Sequence, residues 1–87
     1  MNNFEYKITR QLGVLSQTED GEYTKEVNLI SFNGAEPKVD IRRWDRRAGR
    51  MQKGITLDRA ELEALTAILC ALKEEAATAA GAEGGTI

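Results

Sequence analysis

Residues 4–16 (FEYKITRQLGVLS) place apolar side chains at Phe4, Tyr6 and Ile8 and again at Leu12 and Val14, a period of two with Arg10 interrupting the apolar face. That alternation predicts a long strand, and Gly13 within it marks a candidate bulge. Thr18-Glu19-Asp20-Gly21 supplies a turn ending in Asp-Gly, a strong hairpin signal. Residues 22–32 (EYTKEVNLISF) are rich in β-branched and aromatic types and predict a second strand. Asn33-Gly34 opens the next turn, and Pro37, which cannot donate to a ladder, belongs at a strand start. A third strand over 38–44 (KVDIRRW) sets Val39, Ile41 and Arg43 on one face and Lys38, Asp40, Arg42 and Trp44 on the other. Residues 50–57 (RMQKGITL) predict a fourth, with Met51, Lys53, Ile55 and Leu57 sharing one parity. Short links between successive strands imply an antiparallel meander.

The period then changes. Asp58 and Glu61 have the spacing of a capping box, and Leu62, Leu65, Leu69, Leu72 and Ala76 follow at intervals of three and four, with Ile68 widening the stripe. This predicts an amphipathic helix of about 17 residues, roughly 25 Å long. The expected fold class is therefore α+β: a four-stranded antiparallel meander followed by one C-terminal helix (ββββα), with a domain over 1–76. The stretch 77–87 lacks apolar bulk and reads as a disordered tail. A lone amphipathic helix needs a partner surface, and a chain of 87 residues without a disulfide has a small core. Leu62, Leu65, Leu69 and Leu72 are accordingly expected to build the core and the seam of a homodimer.

Composition narrows the chemistry. Histidine is absent, which removes the commonest general base and metal ligand. The single cysteine, Cys70, lies beside the leucine stripe and is expected to be an inert core thiol. Asp40 and Asp45 are interleaved with arginines, an arrangement expected to favour ion pairing over general acid–base work. No nucleophile–base pair, metal-ligand cluster or phosphate-cradling glycine loop is present in the pattern, so a non-enzymatic protein with no cofactor and no metal is expected. No apolar run approaches membrane-spanning length, and the N-terminal residues lack the pattern of a signal peptide, so a cytoplasmic, nucleoid-associated location is expected, with no membrane partner.

The formal charge of −2 hides a segregation: residues 38–53 carry a net +5, while the segments before and after are acidic. A local basic stretch beside aromatic residues suits an unpaired nucleic-acid strand, because cations follow the phosphates and unstacked bases lie on the rings. The strand face Lys38, Arg42, Trp44 supplies cations and a ring in alternation. Arginines on both sides of Trp44 argue against a buried strand end. Phe32 and Tyr23 are further aromatic candidates. The binding candidates are Lys25, Phe32, Lys38, Arg42, Trp44, Arg46, Arg50 and Lys53. The alternatives are single-stranded RNA on the same face, or a protein-interaction module whose basic strand meets an acidic partner of the transcription machinery.

Asp40-Ile41-Arg42 with Trp44, then Lys53-Gly54-Ile55-Thr56-Leu57, and upstream Ser31 to Lys38, occur in an order and spacing that resemble the positive-cofactor-four transcriptional coactivator family, in particular its small bacterial members that bind single-stranded DNA. The resemblance covers about residues 4–73. It implies the ββββα fold, a homodimer, and a channel for unpaired DNA with little sequence preference, used in transcription, replication or repair. Arg42, Trp44, Lys53 and Phe32 match its binding positions, Phe32 as a base-stacking ring. The chain departs from eukaryotic members at Gly34, Glu36 and Gln52, and a serine-rich regulatory segment like theirs is not expected before Phe4.

Overall fold

The computed structural model describes residues 4–83, with side chains through Ala77. Four strands, β1 (Tyr6–Gln17), β2 (Tyr23–Phe32), β3 (Lys38–Asp45) and β4 (Arg50–Leu57), form one open antiparallel sheet in sequence order, and a single helix, α1 (Arg59–Glu83), follows. The ββββα expectation holds, and each strand lies where the alternation placed it to within two residues.

The turns show why. Asn33 and Gly34 both take positive φ (51° and 77°), and the Ala35 N–H donates to the Phe32 carbonyl at 2.9 Å, the hairpin turn that Asn-Gly favours. Asp20 accepts from the Glu22 N–H at 2.9 Å and from the Thr18 hydroxyl at 2.7 Å, which hold its carboxyl below the ordinary range. The capping box is closed in both directions: Glu61 N–H to Asp58 Oδ1 at 2.8 Å, and Asp58 N–H to Glu61 Oε1 at 2.9 Å.

The edges depart from simple alternation. Register shifts between Ile8 and Arg10, Gln11 and Gly13, and Val14 and Ser16 insert Thr9, Leu12 and Leu15 as extra residues in β1. Arg10 therefore does not interrupt the Tyr6–Ile8 face; the bulge at Thr9 moves it to the other side, opposite Leu29. A shift in β4 pairs Arg42 with Gly54 but Trp44 with Met51, so Met51 stands on the opposite face from Ile55 and Leu57. Gly54 is obligatory there. A Cβ at this position would overlap the Arg42 Cβ and lie 2.6 Å from the Ile41 carbonyl oxygen.

One sheet face carries Leu29, Val39 and Leu57, against which the first turn of α1 sets Leu62. Beyond Leu65 the helix leaves the sheet: Ile68, Leu69 and Leu72 are exposed, and so is Ile55 on the sheet. Cys70 is exposed too, contrary to the expected core thiol, because nothing among the described residues covers that stretch of α1. The helix also runs to Glu83, past the expected end at Ala76. Alanine has the highest intrinsic helix propensity and needs no apolar bulk, so Ala-rich sequence extends the helix. The remainder of the expected tail, 84–87, lies outside the described residues.

Candidate nucleic-acid interface

Residues directly opposed in an antiparallel ladder share a face, so the register assigns every paired side chain. The face opposite the helix carries Thr24, Glu26, Asn28, Ile30 and Phe32 from β2; Lys38, Asp40, Arg42 and Trp44 from β3; Tyr6, Ile8, Gln11 and Val14 from β1; and Met51, Gly54 and Thr56 from β4. Tyr6 and Trp44 occupy opposite corners of this face. Their partners on β2, Phe32 and Thr24, are eight residues apart, about 26 Å along a flat strand. Yet the rings lie 5.9 Å apart. The bulged sheet is therefore strongly coiled and concave on this side.

The floor of the concavity is polar and buried. Asp40, fully buried, accepts from Arg42 Nε and Nη2 at 2.6 Å each and from Thr56 Oγ1 at 2.8 Å. This bidentate partner holds the Arg42 guanidinium more firmly protonated than usual, and Arg42 Nη1 also donates to the Gln52 carbonyl at 2.9 Å. Beside it, Glu26 receives Arg46 Nε at 2.8 Å, a second bond from Arg46 Nη2, and donors from Thr24 and Asn28. The Arg46 hydrogen bonds are the main reason that the Glu26 carboxyl sits below the ordinary range.

Two expectations change here. Trp44 is only 1% exposed, not an open ring. The Arg46 guanidinium lies over its ring, 4.7 Å from the centroid, and the Tyr6 ring packs against it with centroids 5.9 Å apart, so the arginines that argued against burial in fact include a residue that covers it. Arg42 and Arg46 are likewise engaged with carboxylates rather than free. Only the first had a local signal: Asp40 and Arg42 are two apart on a strand and must share a face, whereas Glu26 lies twenty residues before Arg46.

The accessible rings are elsewhere. Phe4 (60% exposed) lies 6.0 Å from Phe32 and 6.3 Å from Tyr6, making a three-ring group at one end of the concave face, with Lys38 exposed one rung away on the same face. The sequence pattern assigned Phe4 and Tyr6 to a strand's apolar face and missed them as site residues.

The remaining cations divide between faces. Lys25 stands directly opposite Arg43 on the helix-bearing side, at the end away from Leu62, with the Arg43 guanidinium 4.3 Å from the Tyr23 ring centroid. Lys53 lies in the β4 bulge facing Arg43, and Arg50 pairs in register with Asp45; both are on the sheet edge and exposed. None of Lys25, Lys38, Arg50 and Lys53 makes an ion pair among the described residues. Of the predicted binding set, the structure thus brings together Phe32, Lys38, Arg42 and Trp44 on one face, joined by Arg46 through Glu26, and sets Lys25 on the other. Of the predicted core leucines, Leu62 and Leu65 are half-buried, while Leu69 and Leu72 are exposed.

A coiled ββββα sheet with a ring group and unpaired cations defines a small binding domain built on a sheet face. The chain belongs to the transcriptional coactivator p15 (PC4) family, whose model matches residues 20–68, from the first hairpin through β2–β4 into α1. It is also 43% identical over 68 residues to an uncharacterized protein of Treponema pallidum (strain Nichols), covering 78% of this chain and 79% of that protein. Membership supports DNA binding and a coactivator-type role.

Proposed function

We propose that the protein is a non-enzymatic, homodimeric single-stranded-DNA-binding protein with little sequence preference, acting where duplexes are opened. The observation that carries this reading is the ring group Phe4–Tyr6–Phe32 beside Lys38 on the concave face. Unpaired bases stack on such rings at about 1–3 kcal/mol each, and every base has a π-face, so the contact is tolerant of sequence. Duplex DNA hides those faces. Lys38 on the face and Lys53 in the bulge at its β4 edge supply phosphate contacts, while Lys25 and Arg50, whose partners Arg43 and Asp45 lie on the other side, are assigned none. The exposed stretch Ile68, Leu69 and Leu72 fits a second copy, which would supply a second sheet.

The test is fluorescence anisotropy of a labelled oligo-dT against duplex of equal length, at two salt concentrations. Preference for the single strand, falling with salt, is expected, because phosphate contacts release counterions. Phe4→Ala with Phe32→Ala should abolish most of it. Equal affinity for duplex, or binding indifferent to both rings, would overturn the reading. Tighter binding of a matched RNA would transfer the same surface to RNA. Sedimentation at micromolar concentration tests the dimer.

A further inference from the structure

Trp44 is the single tryptophan, and its Nε1 is buried with no hydrogen-bond acceptor among the described residues. Buried indole N–H groups ordinarily find a partner, so the closed position leaves a donor unsatisfied. What closes it is also unusual. The Tyr6 ring, itself at the edge of the accessible ring group, packs against the indole at a tilt. Over the ring lies Arg46, a cation whose side chain remains 33% exposed and which is tethered through two hydrogen bonds to Glu26.

An apolar lid would be indifferent to an arriving polyanion. A guanidinium lid is not, since phosphate presents the same fork-shaped acceptor as the carboxylate that holds it. The space it would vacate adjoins an open recess of about 400 Å³ lined by Gln11, Val14, Asn28, Glu26 and Arg46. Under the lid lie an aromatic face and an unmet N–H donor. An unpaired nucleotide offers the complement of both, a base to stack and a carbonyl or phosphate oxygen to accept.

We propose that the Glu26–Arg46 pair is a clasp that keeps Trp44 closed in the free protein, and that a single-stranded phosphodiester opens it by taking Arg46, adding the indole to the stacking surface. Arg46 and Glu26 are positioning residues in this scheme. It rests on the single-strand-binding reading above and extends it from the open ring group to a site that forms only on binding.

Because one tryptophan reports, acrylamide quenching of its emission measures closure without any DNA present. Glu26→Gln weakens the tether and should raise the quenching constant of the free protein. Relative to Glu22→Gln, it should also tighten oligo-dT binding about fivefold, the size of a part-exposed ion pair no longer broken on binding. Glu22 pairs with Arg47 in the turns at one end of the sheet, so Glu22→Gln removes the same charge without touching the clasp. Arg46→Lys keeps the charge and loses the fork; it should raise quenching as well, and it decides the matter if Glu26→Gln fails to fold by circular dichroism. In the wild type, oligo-dT should quench the Trp44 emission as the base stacks. Quenching unchanged in both clasp variants, or Trp44 emission unmoved by bound oligo-dT, would overturn the proposal. If no oligonucleotide binds any form, the single-strand reading fails, while free-protein quenching still decides whether Arg46 shields the ring.

Discussion

Replacing Asp40 by asparagine keeps the side chain's shape and removes the charge on which the middle of the concave face is organised. Asp40 has no solvent exposure and accepts three hydrogen bonds, two of them from Arg42, whose side chain is 14% exposed. Removing one partner of such a pair strands the other and typically costs about 3–5 kcal/mol. The described region of about 80 residues should have a total stability of about 4–12 kcal/mol at about 0.05–0.15 kcal/mol per residue. Asp40→Asn should therefore remove a large part of it, lowering Tm by at least about 12–24 °C at the lower figure of 3 kcal/mol. The assay is urea unfolding followed by Trp44 emission, with protein concentration held fixed because association would shift the midpoint. Replacing the pair together, Asp40→Leu with Arg42→Met, should recover much of the loss, since the desolvation of both charges is then avoided. A loss under about 1 kcal/mol in Asp40→Asn would mean that the pair behaves as a surface pair, and the argument from burial would be wrong.

Gly54→Ala should destabilise by about 1–3 kcal/mol or more through overlap with Arg42 and the Ile41 carbonyl, whereas Gly13→Ala, facing open space, should be close to neutral; equal melting temperatures for the two variants would contradict the close approach at the β4 bulge. Glu26 is held below its ordinary pKa by Arg46, so the unfolded chain binds its proton more readily and stability rises with pH in that range. Its contribution is complete above the ordinary glutamate pKa of about 4.3 and is lost as pH falls through the lowered value. The urea midpoint should accordingly fall below about pH 4.3, and less steeply in Glu26→Gln; parallel curves would remove Glu26 from the acid response. Lys38→Gln and Lys53→Gln should each reduce the log–log salt slope of oligo-dT binding by about 0.7, while Lys25→Gln leaves it unchanged; a reduction at Lys25 would show that the strand engages both faces.

The meander was legible because each strand is bounded by residues with one conformational purpose: Asp20-Gly21, Asn33-Gly34 and Pro37. The helix start was legible in Asp58 and Glu61, whose reciprocal bonds depend only on local spacing. Trp44 was not. Its burial depends on Tyr6 arriving from the far corner of a coiled sheet and on Arg46 folding back to Glu26, twenty residues earlier in the chain, and neither contact has a local signal. The bulges in β1 were legible only at Gly13, because Thr9, Leu12 and Leu15 fit an ordinary strand equally well. The helix end was misplaced at Ala76 because leucine spacing measures what a helix buries, while alanine extends it for reasons internal to the backbone.

Both outer strands of the open sheet are broken: β1 by three inserted residues and β4 by one. An unbroken rim would offer another chain a continuous row of amide and carbonyl groups for zipper-like extension. The kinked rims here offer no such run, so copies of this domain cannot readily grow end on end into a continuous ribbon. Self-association is thereby steered away from main-chain pairing and towards side-chain surfaces, where a closed pair can form and stop.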